Sequence, residues 1–305
     1  MVQQSVFSGV MTAIITPFHK DFSIDMPAFH KTIELQKNNG INGIVVLGTT
    51  GESPTLSESE SEQLVSAALE HASSSFHIYV GTGSNHTQNT IEKSKKYAKF
   101  KNTHGKSPMG LMVVTPYYNK PSQQGLEAHY KTLANTVDLP IILYNVPGRT
   151  ACDMQPETTA ILAKEHNVIA IKEAVPDETR LKKLVELCPD DFNLLSGDDA
   201  TFLDFYKLGG HGVISVSCNV AARQIAQVCN FAKDKDWDKC DKINQKLELL
   251  HKNLFVCSNP VPVKWAMYYL GLITEPDCRL PLLAMEGQYQ DQVIKALELA
   301  GLKKI

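Results

Sequence analysis

What most narrows the fold of this chain is a repeated alternation of short, β-rich apolar runs with longer segments of helical period. Runs at 11–16, 44–47, 77–81, 111–114, 141–144, 168–172, 192–195 and 212–217 read as strands. Segments at 27–39, 57–72, 86–100, 122–136, 156–166, 177–187, 198–207 and 220–235 carry helical spacing, so every strand is followed by a helix. Gly40 stops the first helix, and Ser57 ahead of a Glu-rich turn starts the second. Near-continuous apolar strands joined by helical crossovers require a parallel sheet covered by helices. Eight such units predict an α/β fold, a closed (β/α)8 TIM barrel. An open doubly wound sheet is the alternative, and it lacks its glycine fingerprint after the first strand.

The alternation stops near residue 235, and only helices follow, at 237–255, 260–270 and 288–300. The chain has 305 residues, more than the ~250 of an average barrel. The surplus is therefore assigned unequally: a catalytic barrel over 1–235 and a C-terminal helical region over 236–305. The stretch 99–110 is the most loop-like internal segment.

Thirty basic residues against thirty-three acidic leave a net charge of -3, which supplies no general attraction to nucleic acid or an anionic membrane. No apolar run approaches the ~18 residues of a membrane span, and the first ten residues lack a basic start followed by an apolar stretch. The 7 cysteines are odd in number and contain no CxxC pair, as expected of reduced, mostly buried thiols in the cytoplasm. The 10 histidines show no metal-ligand spacing, so no metal is expected. Gly81-Thr82-Gly83 begins a dinucleotide fingerprint but has His86 in place of the third glycine, and Gly105-Lys106-Ser107 follows no strand as a phosphate loop must.

In a barrel the chemistry sits at the C-terminal ends of the strands. Lys172 ends the run VIAIK, where a long cation replaces an apolar residue. Burial lowers the pKa of an amine, and an unprotonated lysine attacks a ketone to form a Schiff base, an electron sink for carbon–carbon chemistry. A plain strand-end lysine, solvated or paired with Glu173, is the alternative. Tyr144 ends the neighbouring strand, either as a proton carrier or as a rim aromatic. Thr49 and Thr50, between glycines, offer hydroxyls and N–H groups for a carboxylate or a proton relay, or simply form a turn. Arg149, after Pro147-Gly148, is either a carboxylate fork or a solvated arginine. Tyr117 and Tyr118 read by themselves as packing residues, and Asp198 and Asp199 as caps at a helix start.

The segments GTTGESPTL (48–56), VTPYYNKPSQQG (114–125), YNVPGRT (144–150), IKEA (171–174), LLSGDDA (194–200), GGHGVISV (209–216) and NPVPVKWA (259–266) together make the chain resemble the dihydrodipicolinate synthase family of pyruvate-dependent, Schiff-base-forming class I aldolases. The resemblance runs nearly end to end. It implies condensation of pyruvate with L-aspartate 4-semialdehyde to 4-hydroxytetrahydrodipicolinate, in the synthesis of diaminopimelate and lysine. It implies no cofactor beyond the covalent imine of pyruvate on Lys172, and a homotetramer built as a dimer of dimers. Tyr144, Thr49 and Tyr118 match a proton-relay triad, with Tyr118 reaching into a neighbouring subunit's site, against the packing role read from the residue alone. Thr50 matches a binder of the pyruvate carboxylate, Arg149 a grip on the second substrate, and Gly197 and Ile214 backbone contacts near the imine.

Ser53, Asn85 and Tyr117 match a regulatory lysine site, but Glu58, Ser61 and Asn89 stand where lysine-sensitive members carry His, His and Glu. Losing that Glu removes an acceptor for the effector's ammonium group, which implies weak or absent feedback inhibition. A related Schiff-base aldolase such as N-acetylneuraminate lyase is the nearest rival; Arg149 and the paired threonines argue against it. A non-catalytic sensor is expected to have lost Lys172 or Tyr144, and both are present.

Overall fold

The computed structural model describes residues 9–304; Met1 to Ser8 and Ile305 lie outside the described residues, and with them most of the N-terminal stretch read above for a leader. In chain order the elements are β1 (Gly9–Ala13), α1 (Met26–Asn38), β2 (Gly43–Val46), α2 (Glu58–Glu70), β3 (His77–Gly81), α3 (Thr87–Lys99), β4 (Gly110–Val114), α4 (Gln123–Ala134), β5 (Ile141–Asn145), α5 (Pro147–Thr150), α6 (Pro156–Leu162), β6 (Val168–Glu173), α7 (Glu178–Leu187), β7 (Asn193–Ser196), α8 (Phe202–Lys207), β8 (Gly212–Ser215), α9 (Cys218–Lys233), α10 (Trp237–Asn253), α11 (Val261–Tyr269) and α12 (Gly287–Leu299). The strands run β1 to β8 in order around one closed barrel, and the pairs resolved by register are parallel. The chain packs as two compact units, one built on Ile78–Ile214 with Gly9, the other on Val10–His77 with residues 215–304.

In the first unit the strands are buried almost throughout, as an apolar run covered on both faces must be. Their register is continuous from Leu111 against Ile141 to Val114 against Tyr144, and from Leu143 against Ile171 to Asn145 against Glu173. Ser122 opens α4 and Asp177 opens α7, each side chain accepting an N–H of the first turn. The stretch 100–109 is a loop folded around Asn102, whose side-chain oxygen accepts from the N–H groups of His104 and Lys106 at 3.0 and 2.9 Å. Gly83 sits where a Cβ would meet the Val114 nitrogen at 2.5 Å, so the glycine after β3 serves close backbone packing against β4.

The second unit carries β1 and β2, with α1 and α2 packed on β2, α10 on both α9 and α12, and α1 on α9. Ser57 and Glu60 form a reciprocal cap on α2. Asn219, fully buried in α9, ties this helix to the end of β1. Its Nδ2 donates to the Ala13 and Val216 carbonyls at 2.9 and 2.8 Å, and its Oδ1 accepts from the Ile15 N–H at 3.3 Å. Five of the seven cysteines are buried and none is bridged. Among the described residues no helix is long and apolar enough to cross a membrane.

Several boundaries differ from the sequence reading. The first strand, already present at Gly9 where the described residues begin, stops at Ala13, because Asn219 intercepts the Ile15 N–H. The last strand ends at Ser215, and Ser217 already precedes α9. The helix expected from 198 begins at Phe202; the Asp198 carboxylate instead accepts from the Thr201 N–H and hydroxyl at 3.0 and 2.7 Å, closing a turn just before it. The helix expected to reach 166 stops at Leu162. Two short helical turns, α5 and Ser53–Thr55, had no periodic signal because one turn of helix contains too few residues to show one.

Asn219→Ala leaves the Ala13 carbonyl and the Ile15 N–H without this partner. It is expected to lower the unfolding free energy by at least ~2 kcal/mol in urea titration; an unchanged midpoint would show that water or a neighbour replaces the amide.

Candidate active site

The ends of β5 and β6 bring Tyr144 and Lys172 together. The two residues are register partners on adjacent strands, both buried, and the lysine Nζ lies 4.4 Å from the centroid of the tyrosine ring. Lys172 is therefore no solvated strand-end lysine. Nor is it the partner of Glu173, because consecutive strand residues point to opposite faces. Glu173 instead pairs with Arg180 at 3.2 Å and accepts from Asn145. Burial pushes the Glu173 carboxyl up to about 7, against the opposing pull of the Arg180 charge.

Gly197, after β7, lies against the same lysine. A Cβ there would stand 3.1 Å from both Cε and Cγ of Lys172 and 3.0 Å from the Ala174 Cβ, so the missing side chain leaves room for the lysine stem. Ile214 is buried near the end of β8. Arg149 is exposed on α5, whose residue Thr150 accepts the Tyr118 N–H at 3.1 Å through its carbonyl and the Thr115 hydroxyl at 3.3 Å through Oγ1. Tyr118 is 87% exposed with φ 74°, and Tyr117 is 41% exposed. The packing role read from the sequence for this pair is thus overturned for Tyr118, which a strained backbone presents outward. Asn85, through its carbonyl, accepts the Asn119 side chain at 2.7 Å, tying it to the same segment.

In the second unit, Thr49, Thr50 and Ser53 occupy the loop after β2, with Leu47 and Glu52 at φ 58° and 55°. This strained turn is held by residues from the C-terminal helical region. Thr50 Oγ1 accepts from Asn259 at 3.0 Å, so its own proton stays free to donate to a carboxylate. Glu52, buried, takes Lys264 Nζ at 2.8 Å on one oxygen and the Arg279 N–H at 2.9 Å on the other. The Lys264 ammonium and the Arg279 guanidinium lie 4.2 and 4.5 Å from the Phe18 ring centroid. Arg279 also forks onto Glu60, with Nη1 to Oε2 at 2.9 Å, and holds that carboxyl down to about 2.

Sequence reasoning missed Glu52, Asn145, Asp153, Arg180, Asn259, Lys264 and Arg279. The available signal was a run of charged or amide residues inside or beside apolar segments, as in NPVPVKWA; the partners of Asn259, Lys264 and Arg279 lie more than 200 positions away in sequence. Among the described residues no three His, Cys, Asp or Glu side chains are grouped to hold a metal.

Glu60 titrates below its ordinary value of 4.5, so its pair with Arg279 adds stability above about pH 4.5 that is lost as the pH falls toward 2. Arg279→Met is expected to lower the urea midpoint at about pH 7 and to narrow its distance from native at about pH 3. Equal losses at both pH values would exclude the Glu60 pair as the source.

Residues 6–300 match the model of the dihydrodipicolinate synthetase family. A dihydrodipicolinate synthase from Thermotoga maritima is 41% identical with a TM-score of 0.92, covering 98% of this chain and 100% of its own. The chloride-inhibited dihydrodipicolinate synthase from Acinetobacter baumannii, complexed with pyruvate, is 39% identical with a TM-score of 0.91 over 98% of this chain and 100% of its own. The enzyme from Cyanidioschyzon merolae with lysine bound is 36% identical with a TM-score of 0.90 over 97% of this chain and 99% of its own. The chain belongs to the dihydrodipicolinate synthetase family, pyruvate-dependent lyases of lysine and diaminopimelate synthesis.

Proposed function

We propose that this lyase condenses pyruvate with L-aspartate 4-semialdehyde through an imine on Lys172. The placement of Lys172 Nζ 4.4 Å from the Tyr144 ring carries this reading, because it joins a buried amine to a phenol on the adjacent strand. The amine adds to the pyruvate ketone and water leaves as protons are handed through Tyr144. The imine loses a methyl proton to become an enamine whose carbon attacks the aldehyde, and the aldehyde oxygen takes up a proton. The amino group of the semialdehyde then adds to the imine carbon, closing the ring and expelling the Lys172 amine. Thr49 and Tyr118 complete the relay implied by the family resemblance, Tyr118 from a neighbouring copy. Thr50 binds the pyruvate carboxylate, and Arg149 grips the carboxylate of the semialdehyde with its fork. Gly197 and Ile214 line the imine through their backbones. The imine is itself the electron sink, so no cofactor and no metal are needed.

We assign the chemistry to the barrel over 1–235 and assembly to the region over 236–305, in a cytoplasmic homotetramer arranged as a dimer of dimers. The 87% exposure of Tyr118 supports an oligomer that receives it. Ser53, Asn85 and Tyr117 are proposed to form a degraded effector site. In support, Asn89 spends its side-chain oxygen on His86 Nδ1 at 2.9 Å, where a carboxylate acceptor is needed. The binding partners are thus the two small substrates; neither nucleic acid nor a membrane is among them.

Pyruvate with borohydride is expected to add one reduced pyruvate to Lys172, found by peptide mass spectrometry. Tyr144→Phe is expected to lower turnover at least tenfold, within the ~10²–10⁴ typical of acid–base groups. No adduct on the native enzyme would sink the mechanism, and turnover with N-acetylmannosamine but not with the semialdehyde would refute the substrate assignment. A lysine titration is expected to show little inhibition; strong inhibition at sub-millimolar lysine would refute the degraded effector site.

A further inference from the structure

A second set of side chains stands on the far side of the strands that carry Tyr144 and Lys172. The next pair in the same register is Asn145 with Glu173, and strand alternation turns both away from the face of the reactive pair. Asn145 Nδ2 donates to both Glu173 oxygens at 3.1 Å and to Asp153 Oδ1 at 3.0 Å, while its Oδ1 accepts from the Met154 N–H at 3.0 Å. Glu173 further accepts from the Val175 N–H at 2.9 Å and from Arg180 Nη1 at 3.2 Å. Arg180, from α7, also donates to the Met154 carbonyl at 2.8 Å and to Asp153 at 2.5 Å. Four segments meet here: the ends of β5 and β6, the stretch after α5, and the first turn of α7.

One step earlier on the same outward face the ladder is apolar, with Leu143 opposite Ile171, both fully buried. Polar, charged groups replace that packing only at the level of the reactive pair. Buried ion pairs seldom add net stability over apolar packing, but their directional bonds restrict geometry. A displacement of about 1 Å in a reacting group can cost roughly a hundredfold in rate.

We propose that Asn145, Asp153, Glu173 and Arg180 form a positioning network that sets Lys172 against Tyr144 and holds both ends of the helix bearing Arg149. The network rests on the reading of Lys172 as the imine-forming amine. Asn145 precedes α5 and Asp153 follows it, so the same bonds that tie β5 to β6 fix where Arg149 is presented. The carboxyl of Glu173 changes its proton near pH 7. It faces Arg180 from α7 and Asp153 from the stretch after α5, and Lys172 precedes it on its own strand. Ionised, it accepts from Arg180 and from the Asn145 amide; protonated, it loses the attraction to Arg180. The network therefore tightens as the pH rises through about 7.

Full-length Glu173→Gln and Arg180→Lys enzymes test this against the native one, using kcat and KM for each substrate across pH and borohydride trapping of pyruvate. Both variants are expected to trap pyruvate on Lys172 more slowly and to lose about tenfold or more in kcat. KM for the semialdehyde is expected to rise while KM for pyruvate changes little, since Thr50, outside the network, holds the pyruvate carboxylate. The limb of the native kcat profile near pH 7 is expected to flatten in Glu173→Gln. Native kcat with an unchanged pH profile in both variants overturns the network, as does a lower kcat with every KM and the pH profile unchanged, which marks a smaller folded fraction. Should Glu173→Gln fail to fold, Asp153→Asn, whose side chain is 35% exposed, replaces it; a native KM for the semialdehyde in that variant also overturns the network. Absence of a Lys172 adduct in the native enzyme is a separate result, against the imine reading itself.

Discussion

Parallel pairing of β5 with β6 in a register that sets Tyr144 opposite Lys172 is the interaction on which the candidate site depends. One residue of slip would turn the lysine to the far face of the strand, since side chains alternate with a period of two. Apolar pairs such as Leu143 with Ile171 favour the register through burial, and the Asn145–Glu173 pair adds directional bonds beside it. The long Lys172 side chain at this buried strand end lies against a neighbouring aromatic face, with its Nζ 4.4 Å from the Tyr144 ring centroid.

The loop after β2 solves a different problem in the second unit. Leu47 and Glu52 occupy left-handed backbone conformations that cost energy for residues with side chains. The turn persists because Glu52 is fully occupied by Lys264 and by the Arg279 N–H, and Thr50 by Asn259. Through Asn259, Lys264 and Arg279 the C-terminal helical region thereby holds the loop after β2.

A formal charge of -3 on 305 residues supplies no general attraction for anions, so the proposed site relies on a few placed donors. On the proposed reading, individual donors set by backbone geometry take the place that a broad basic surface has in binding polyanions. The exposed Tyr118, at φ 74°, is tied by its N–H to Thr150, which connects it to the turn carrying Arg149.

By itself the sequence determined the eight strand–helix units, the helical tail, and the identity of Lys172, Tyr144, Thr49, Thr50 and Arg149 as rim residues, because apolar periodicity and turn chemistry are local properties of the chain. Strand ends were legible only to within a few residues, since a long-range bond such as that of Asn219 to Ile15 decides where a ladder stops. The partners of Glu173 and Glu52 were not legible at all. Glu173 reads as a neighbour of Lys172, yet pleating separates them and tertiary packing delivers Arg180; Glu52 meets Lys264, 212 positions away. A buried charge demands a partner but its position in sequence does not say which one, so only the folded chain decides.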